Sequence, residues 1–146
     1  MPFRKPKLTM EQQMCADIVQ WSELCIKRYP ALEWLRHWPN EGKRNPWIAK
    51  LMGIKAGPSD YFLPVPTVQY NGLFLEIKVP DKKPTDQQRI WLQAMKTFGY
   101  YTNWTDNTSK AIKILDWYCQ CTLVKWPDGI AWKGDINERC GYIIEH

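Results

Sequence analysis

The sequence predicts a mixed α/β domain in which helices surround a small central sheet. Three observations support this class. Apolar residues recur at spacings of three and four in several segments, short apolar segments end at prolines, and the two kinds of segment alternate along the chain. The 146 residues, 45% of them hydrophobic, have the size and composition of one globular domain. The predicted order is helix, helix, strand, strand, helix, strand, helix, followed by a tail with no clear pattern.

The first predicted helix is long and amphipathic. It covers residues 8–29, where Thr9 is a suitable N-cap and Pro30 ends the helix. Residues 37–45 follow as a polar loop, because they combine turn-forming residues with two adjacent cations.

A short helix and two strands are predicted next. The helix runs from residue 46 to about residue 52, because Asn45 followed by proline is typical of an N-cap and a first helical position. Residues 61–63 and 73–79 are rich in apolar and aromatic side chains, and each segment is followed by a proline that ends it.

The remaining elements alternate between helix and strand. Residues 86–98 return to helical spacing, with Thr85 or Asp86 as the cap and a glycine at the end. Residues 100–104 form a third short strand, and a last helix begins at residue 107 or 108. Such an order indicates a mixed α/β domain with a small mixed central sheet flanked by helices.

Composition limits the function without deciding it. The net charge is +5, and nine Trp and seven Tyr accompany it, which is compatible with nucleic-acid binding and not diagnostic of it. No apolar segment is long enough to suggest a membrane span, and the N-terminus does not resemble a secretory signal. We therefore expect a cytoplasmic protein, of a bacterial or phage-infected cell, without a membrane partner. The odd number of five cysteines predicts free thiols.

Two charged residues stand inside the apolar strand at 73–79. Alternation places Glu76 and Lys78 on one face of that strand, opposite the face of Leu75, Ile77 and Val79. A solvent-facing ion pair on a sheet with one wet face is the ordinary explanation.

Asp60 favours a different explanation. If strands 61–63 and 73–79 pair as a hairpin in which Leu63 faces Leu73, Asp60 falls opposite Glu76. Opposite residues on one face have Cβ atoms about 4.5–5.5 Å apart, so two carboxylates would converge beside a lysine. Such a group suits a hard cation such as Mg²⁺. A tight turn at residues 71–72 would give another register and would misplace Asp60.

The series of Asp60, then Glu76-Ile77-Lys78, then Gln88 on the following helix resembles the core motif of the PD-(D/E)xK nucleases. It is more similar still to the virus-type replication-repair (VRR-NUC) branch, in its small stand-alone phage form. The further segments that carry the similarity are residues 39–44 (Pro-Asn-Glu-Gly-Lys-Arg), the glycine-bearing approach at 52–60, the glutamine helix at 85–92, and residues 98–100.

The resemblance covers about residues 9–120 and implies a restriction-endonuclease-like core in a single domain, 1–146, with 121–146 as an extension of open role. Two positions depart from the family pattern. Ser59 stands where the family has proline before the aspartate, and Cys15 stands where it has glutamine four residues after Glu11.

The resemblance also implies a set of metal ligands. Asp60 and Glu76, with the backbone carbonyl of Ile77, are expected to hold Mg²⁺, for which Mn²⁺ can substitute. Glu11 is expected to reach this cluster from the first helix.

Other side chains are expected to act on the substrate. Lys78 would position the attacking water and offset developing negative charge, and Gln88 would orient Lys78 or the water. Trp34, Trp38 and Trp47 could stack on bases or fill a subunit contact. The cations expected to contact DNA phosphates are Lys43, Arg44, Lys50, Lys55, Lys82 and Lys83.

These expectations combine into a metal-dependent, structure-selective DNA endonuclease. The stand-alone branch resembles Holliday-junction resolvases, which implies a homodimer acting on branched or four-way DNA, because a two-fold dimer presents two matched sites. A flap or nicking nuclease of phage replication or packaging is the second interpretation. A non-catalytic DNA-binding module that kept the fold is the third.

Overall fold

One four-stranded sheet organises the computed structural model, which describes residues 6–38 and 45–122. Helices pack on both faces of this sheet, which confirms the predicted fold class. The elements of the described part are α1 (Met10–Cys25), a 3₁₀ helix (Pro30–Trp34), β1 (Arg36–His37), α2 (Pro46–Leu51), β2 (Tyr61–Leu63), β3 (Leu73–Ile77), α3 (Asp86–Thr97), β4 (Tyr101–Thr105) and α4 (Thr108–Gln120).

The predicted helix starts are confirmed by their caps. Thr9 and Gln12 form a reciprocal capping box at α1, and the Asn45 side chain accepts hydrogen bonds from the first turn of α2. The end of α1 was predicted too late. The backbone N–H groups of Arg28 and Tyr29 both bond back to the Cys25 carbonyl, so the chain turns there, before the proline that starts the 3₁₀ helix.

The sheet has the order β1-β2-β3-β4. Strand β2 is antiparallel to both β1 and β3, and β3 is parallel to β4. Strand β1 was not predicted, because two residues at a sheet edge are too few to show alternation. His37 is therefore paired with Tyr61 and does not lie in the predicted loop.

The register between β2 and β3 pairs Leu63 with Leu73, as the hairpin prediction required. The alternative tight turn does not form, since Asn71 is held elsewhere. Its backbone N–H donates to the Gly99 carbonyl and its side-chain amide donates to the Phe98 carbonyl, each at 2.8 Å. Residues 64–72 thus form the longer connection that the carboxylate pairing needs.

The main core lies between one sheet face and helices α1 and α4. Leu73, Leu75 and Ile77 of β3 project into it together with Met14 and Ile18 of α1. The opposite sheet face is covered by α3. The side chains that α4 adds to the main core are Ala111, Leu115, Tyr118 and Cys119.

Two further expectations can be compared with the structure. In the part of the chain that the structure describes, no helix has the length and apolar character needed to span a membrane. Cys121 is disulfide-bonded, so the prediction of free thiols is wrong at this position.

Candidate active site

Asp60 and Glu76 interlock at the edge of the β2–β3 pairing. The backbone N–H of Asp60 donates to Glu76 Oε2 at 3.2 Å, and Asp60 Oδ2 accepts from the backbone N–H of Ile77 at 2.8 Å. Each carboxylate is thus bonded to the backbone of the strand that carries the other. The structure therefore brings together the two acids that the sequence placed opposite each other.

Glu76 is fully buried, with 1% of its surface exposed. One of its oxygens, Oε1, accepts from Lys78 Nζ at 2.8 Å and from Gln88 Nε2 at 2.7 Å. The explanation of Glu76 and Lys78 as a solvent-facing ion pair is therefore wrong. Strand alternation identified their common face, but it could not show that α3 would cover that face.

A helix cap fixes the direction in which Gln88 points. Gln88 is the third residue of α3. Its side-chain Oε1 accepts from the Thr85 backbone N–H at 2.9 Å, and its backbone N–H donates to Thr85 Oγ1 at 3.3 Å. This capping box uses the oxygen of the amide. The nitrogen is left to face Glu76, so the cap sets which end of the amide meets the carboxylate.

Burial makes both carboxylates hard to ionise. Loss of hydration, together with the negative charge of Asp60, raises the pKa of Glu76 to about 7 against the lowering effect of Lys78. Burial also raises the pKa of Asp60, against the lowering effects of the Ile77 N–H and of the charges on Lys78 and His37. When both buried acids are ionised, a further positive charge beside them would stabilise the site.

The oxygens suit a hard divalent cation. Within the described residues, no hydrogen bond uses Asp60 Oδ1, and carboxylate oxygens are the preferred ligands of Mg²⁺. Among those same residues, no group of three or more His, Cys, Asp or Glu is close enough to bind a metal ion. Glu11 lies in the first turn of α1, and its charge raises the pKa of Asp60. The metal ligands that the described residues offer are thus a pair of carboxylates, whose coordination water or a phosphate would complete.

The approach to Asp60 packs directly on the start of α3. Gly57 has a φ of +117°, and a Cβ atom there would lie 3.2 Å from the Gln87 carbonyl oxygen. A side chain at this position would be strained by both conditions. Ser59, at the position where the family has proline, is fully buried, and its Oγ has no hydrogen-bond partner in the described part of the chain.

Two residues lie near the site at positions that the sequence did not predict. The His37 ring stacks on Tyr61 with centroids 4.7 Å apart, and its Nε2 lies 3.8 Å from Cys15 Sγ. Trp38 donates its backbone N–H to the Asp60 carbonyl at 2.7 Å. Both were placed in a loop by the sequence pattern, and only the unpredicted strand β1 brings them beside Asp60.

The predicted phosphate contacts are only partly described. Lys50 and Lys55 are exposed around α2, and Lys82 and Lys83 are exposed after β3. Lys43 and Arg44 lie outside the described residues. The exposed positions are compatible with a role in binding, which stays a prediction.

The fold is a small mixed α/β domain in which Asp60 and Glu76 meet beside a lysine. A solved structure described as a VRR_NUC domain protein matches it with a TM-score of 0.64 at 23% sequence identity. The match covers 80% of this chain and 93% of the other. The resemblance inferred from the motifs is thereby confirmed at the level of the fold. No protein-family model matches the sequence, and no curated protein matches it.

Proposed function

We propose that this protein is a metal-dependent DNA endonuclease that hydrolyses phosphodiester bonds. The observation that carries the proposal is the interlocked pair of Asp60 and Glu76, with Lys78 and Gln88 on the same Glu76 oxygen. This pair lies in a domain with the fold of a VRR_NUC domain protein.

Asp60 and Glu76, with the backbone carbonyl of Ile77, would hold Mg²⁺ or Mn²⁺, and Glu11 would approach from α1. When bound, the ion would polarise the scissile phosphate and lower the pKa of a coordinated water. The hydrogen bonds between the two carboxylates and the opposite backbones keep the oxygens in place before any ligand arrives. Such preorganisation reduces the reorganisation needed during the reaction.

Lys78 and Gln88 would act on the substrate side of the site. The Lys78 side chain is 20% exposed, so its ammonium group can contact both Glu76 and a phosphate. It would position the attacking water and offset negative charge in the transition state. Gln88 would hold the Glu76 carboxylate in the orientation that keeps Lys78 close.

A Holliday-junction resolvase acting as a homodimer is the substrate assignment that we propose within this activity, because two matched sites suit two equivalent strands. A flap or nicking nuclease is the second candidate. This candidate is favoured by Trp38, an exposed tryptophan whose backbone pairs with Asp60. A DNA-binding module without catalysis is disfavoured by the burial of two acids, which is costly unless a cation uses them.

The test is cleavage of a four-way junction, a flap and a plain duplex, each with Mg²⁺ or with EDTA. We expect Asp60→Asn, Glu76→Gln and Lys78→Met to lose about 10²-fold or more of the cleavage rate. Glu33→Gln, which changes an exposed carboxylate of the 3₁₀ helix, serves as the matched control and should cleave like wild type.

Undiminished cleavage by Glu76→Gln would refute the proposed chemistry. Absence of cleavage by wild type on all three substrates, with DNA binding retained, would establish the binding-module interpretation. Symmetric nicks on the four-way junction alone would support resolution, and cleavage restricted to the flap would select the second candidate.

A further inference from the structure

An aromatic cluster lies on the same sheet face as the two carboxylates. We call Trp38, Phe62 and Phe74 the aromatic platform. Phe62 and Phe74 are stacked, with centroids 4.5 Å apart and planes 12° apart, and Trp38 lies 5.5 Å from Phe62 at a tilt of 33°. The indole is thus supported from behind by two rings of adjacent strands.

Phe74 anchors the aromatic platform in the protein interior, whereas Trp38 lies at its exposed end. Phe74 is buried and makes edge contacts with Trp91 and Tyr100, at centroid distances of 5.6 and 5.1 Å. Trp38, by contrast, keeps 40% of its surface exposed. One supported indole therefore faces outward from a fixed base.

The position of this indole relates it directly to the site. Phe62 follows Asp60 by two residues, and Phe74 precedes Glu76 by two, so strand alternation puts platform and carboxylates on one face. The backbone N–H of Trp38 donates to the Asp60 backbone carbonyl, and neighbouring strands lie about 4.8 Å apart. The indole is therefore within the reach of a nucleotide next to a phosphate held at Asp60.

We propose that Trp38 stacks on an unpaired nucleobase of the strand being cut, next to the scissile phosphate. This inference rests on the proposed function and narrows its substrate to DNA with an unpaired nucleotide at the cleavage site. The platform explains why the base must be unpaired, because a base inside a duplex offers no free π-face. A flap or a splayed arm meets this condition, and a fully paired junction meets it only where its branch point opens.

The size of the exposed surface argues for a base and against a protein partner. A tryptophan has about 250 Å² to bury, so the exposed part of one indole is far below the roughly 800 Å² per partner of a stable protein interface. It is comparable to the face of one base. The other two candidate tryptophans, Trp34 and Trp47, are exposed but have no ring contact among the described residues, so neither is supported as Trp38 is.

The experiment measures DNA binding in EDTA, where no metal-dependent cleavage can interfere. Wild type, Trp38→Leu and Trp38→Phe are titrated with a splayed-arm DNA and with a duplex of the same sequence, and fluorescence anisotropy is recorded. Trp38→Leu keeps an apolar contact with the platform but has no π-face. Trp34→Ala removes a tryptophan of similar exposure, 44% against 40%, and is the matched control.

We expect Trp38→Leu to weaken binding of the splayed arm between about 5-fold and about 150-fold, the range of one base stack. Trp38→Phe should recover most of this loss, and neither Trp34→Ala nor the duplex should show it. A 2-aminopurine placed at the unpaired nucleotide should be quenched by wild type and not by Trp38→Leu. Far-UV circular dichroism and the unfolding midpoint show whether each variant is folded.

Equal binding of the splayed arm by wild type and folded Trp38→Leu would overturn the inference, and so would an equal loss on both DNAs. Self-association that depends on Trp38 would also overturn it, in favour of a second copy of the chain as the occupant. The two proposals fail separately. Cleavage in Mg²⁺ without a Trp38 effect refutes only the stacking, whereas base quenching without any cleavage refutes only the nuclease.

Discussion

Replacing Glu76 by glutamine should change how the stability of the protein depends on pH. The substitution keeps the shape of the side chain and removes a buried negative charge, and the carbonyl oxygen can still accept from Lys78 and Gln88. The unfolded chain ionises Glu76 at its ordinary pKa of 4.5, whereas the folded protein, free of metal, does so at about 7. The folded state therefore binds this proton more tightly than the unfolded state.

The sign and size follow from that difference. Because the pKa is raised on folding, the contribution of Glu76 is complete below pH 4.5 and is lost as the pH rises through about 7. At about 1.36 kcal/mol per pKa unit, the loss amounts to about 3 kcal/mol of unfolding free energy. Asp60, whose pKa is raised as well, adds a loss of the same sign in wild type and in the variant. The glutamine has no proton to release, so the Glu76 loss alone is absent from Glu76→Gln.

The assay is urea unfolding in EDTA from pH 4 to pH 8, with wild type, Glu76→Gln and the exposed control Glu33→Gln. Wild type and Glu33→Gln should lose stability in parallel. Glu76→Gln should gain about 3 kcal/mol relative to wild type between the two ends of the range. Parallel curves for wild type and Glu76→Gln, at an unchanged dependence on urea concentration, would refute the claim that a buried charge is present here.

Three further predictions concern other parts of the molecule. Gly57→Ala should lower the unfolding free energy by about 1–3 kcal/mol and reduce cleavage, because its Cβ would press on the Gln87 carbonyl at the start of α3. Urea unfolding and the cleavage rate measure these effects, and unchanged stability and cleavage would refute the prediction. Tyr118→Phe should cost about 1–3 kcal/mol, since it leaves the Val65 carbonyl without its buried donor at 2.8 Å; unfolding at unchanged cleavage activity is the measurement. Lys82→Ala should lower the slope of log binding constant against log salt by about one if it contacts a phosphate; an unchanged slope would remove it from the interface.

The sequence left two registers of β2 and β3 open, and the structure has the one in which Leu63 faces Leu73. Leu63 opposite Leu73 keeps both side chains buried, and a slip by one residue would have turned every side chain over. Asp60 then had to fall opposite Glu76. The same reasoning could not show burial of Glu76, because the cover comes from α3, which is distant in the sequence.

The sequence contains the pattern that sets the orientation of the Gln88 side chain, although this orientation was not predicted. Thr85 and Gln88 have the spacing of a capping box, in which the third helical residue bonds back to the cap. Thr85 was predicted only as a cap and Gln88 only as a site residue. The structure shows that one amide does both, so the helix start and the carboxylate are held by the same group.

Strand β1 could not be predicted from its local sequence pattern. Its two residues pair with β2, but they carry no alternation and precede a polar loop. Their position depends on β2 offering a free edge, which is a property of the assembled sheet. Trp38 and His37 lie beside Asp60 for that reason, and no motif in their own segment indicates it.

The hydrogen bonds of the two carboxylates explain why a folded protein can keep them together without a ligand. Glu76 accepts from the Asp60 backbone N–H and Asp60 accepts from the Ile77 backbone N–H, so the carboxylates cannot move apart without breaking these hydrogen bonds. Their raised pKa values mean that, without a cation, part of the repulsion is relieved by a proton on Glu76. A divalent ion would compete with that proton, because it needs the ionised form. Mg²⁺ should therefore stabilise wild type more at pH 8 than at pH 6 and leave the stability of Glu76→Gln almost unchanged. Urea unfolding at the two pH values, with Mg²⁺ and with EDTA, measures this. Equal stabilisation of both proteins would show that the ion binds elsewhere.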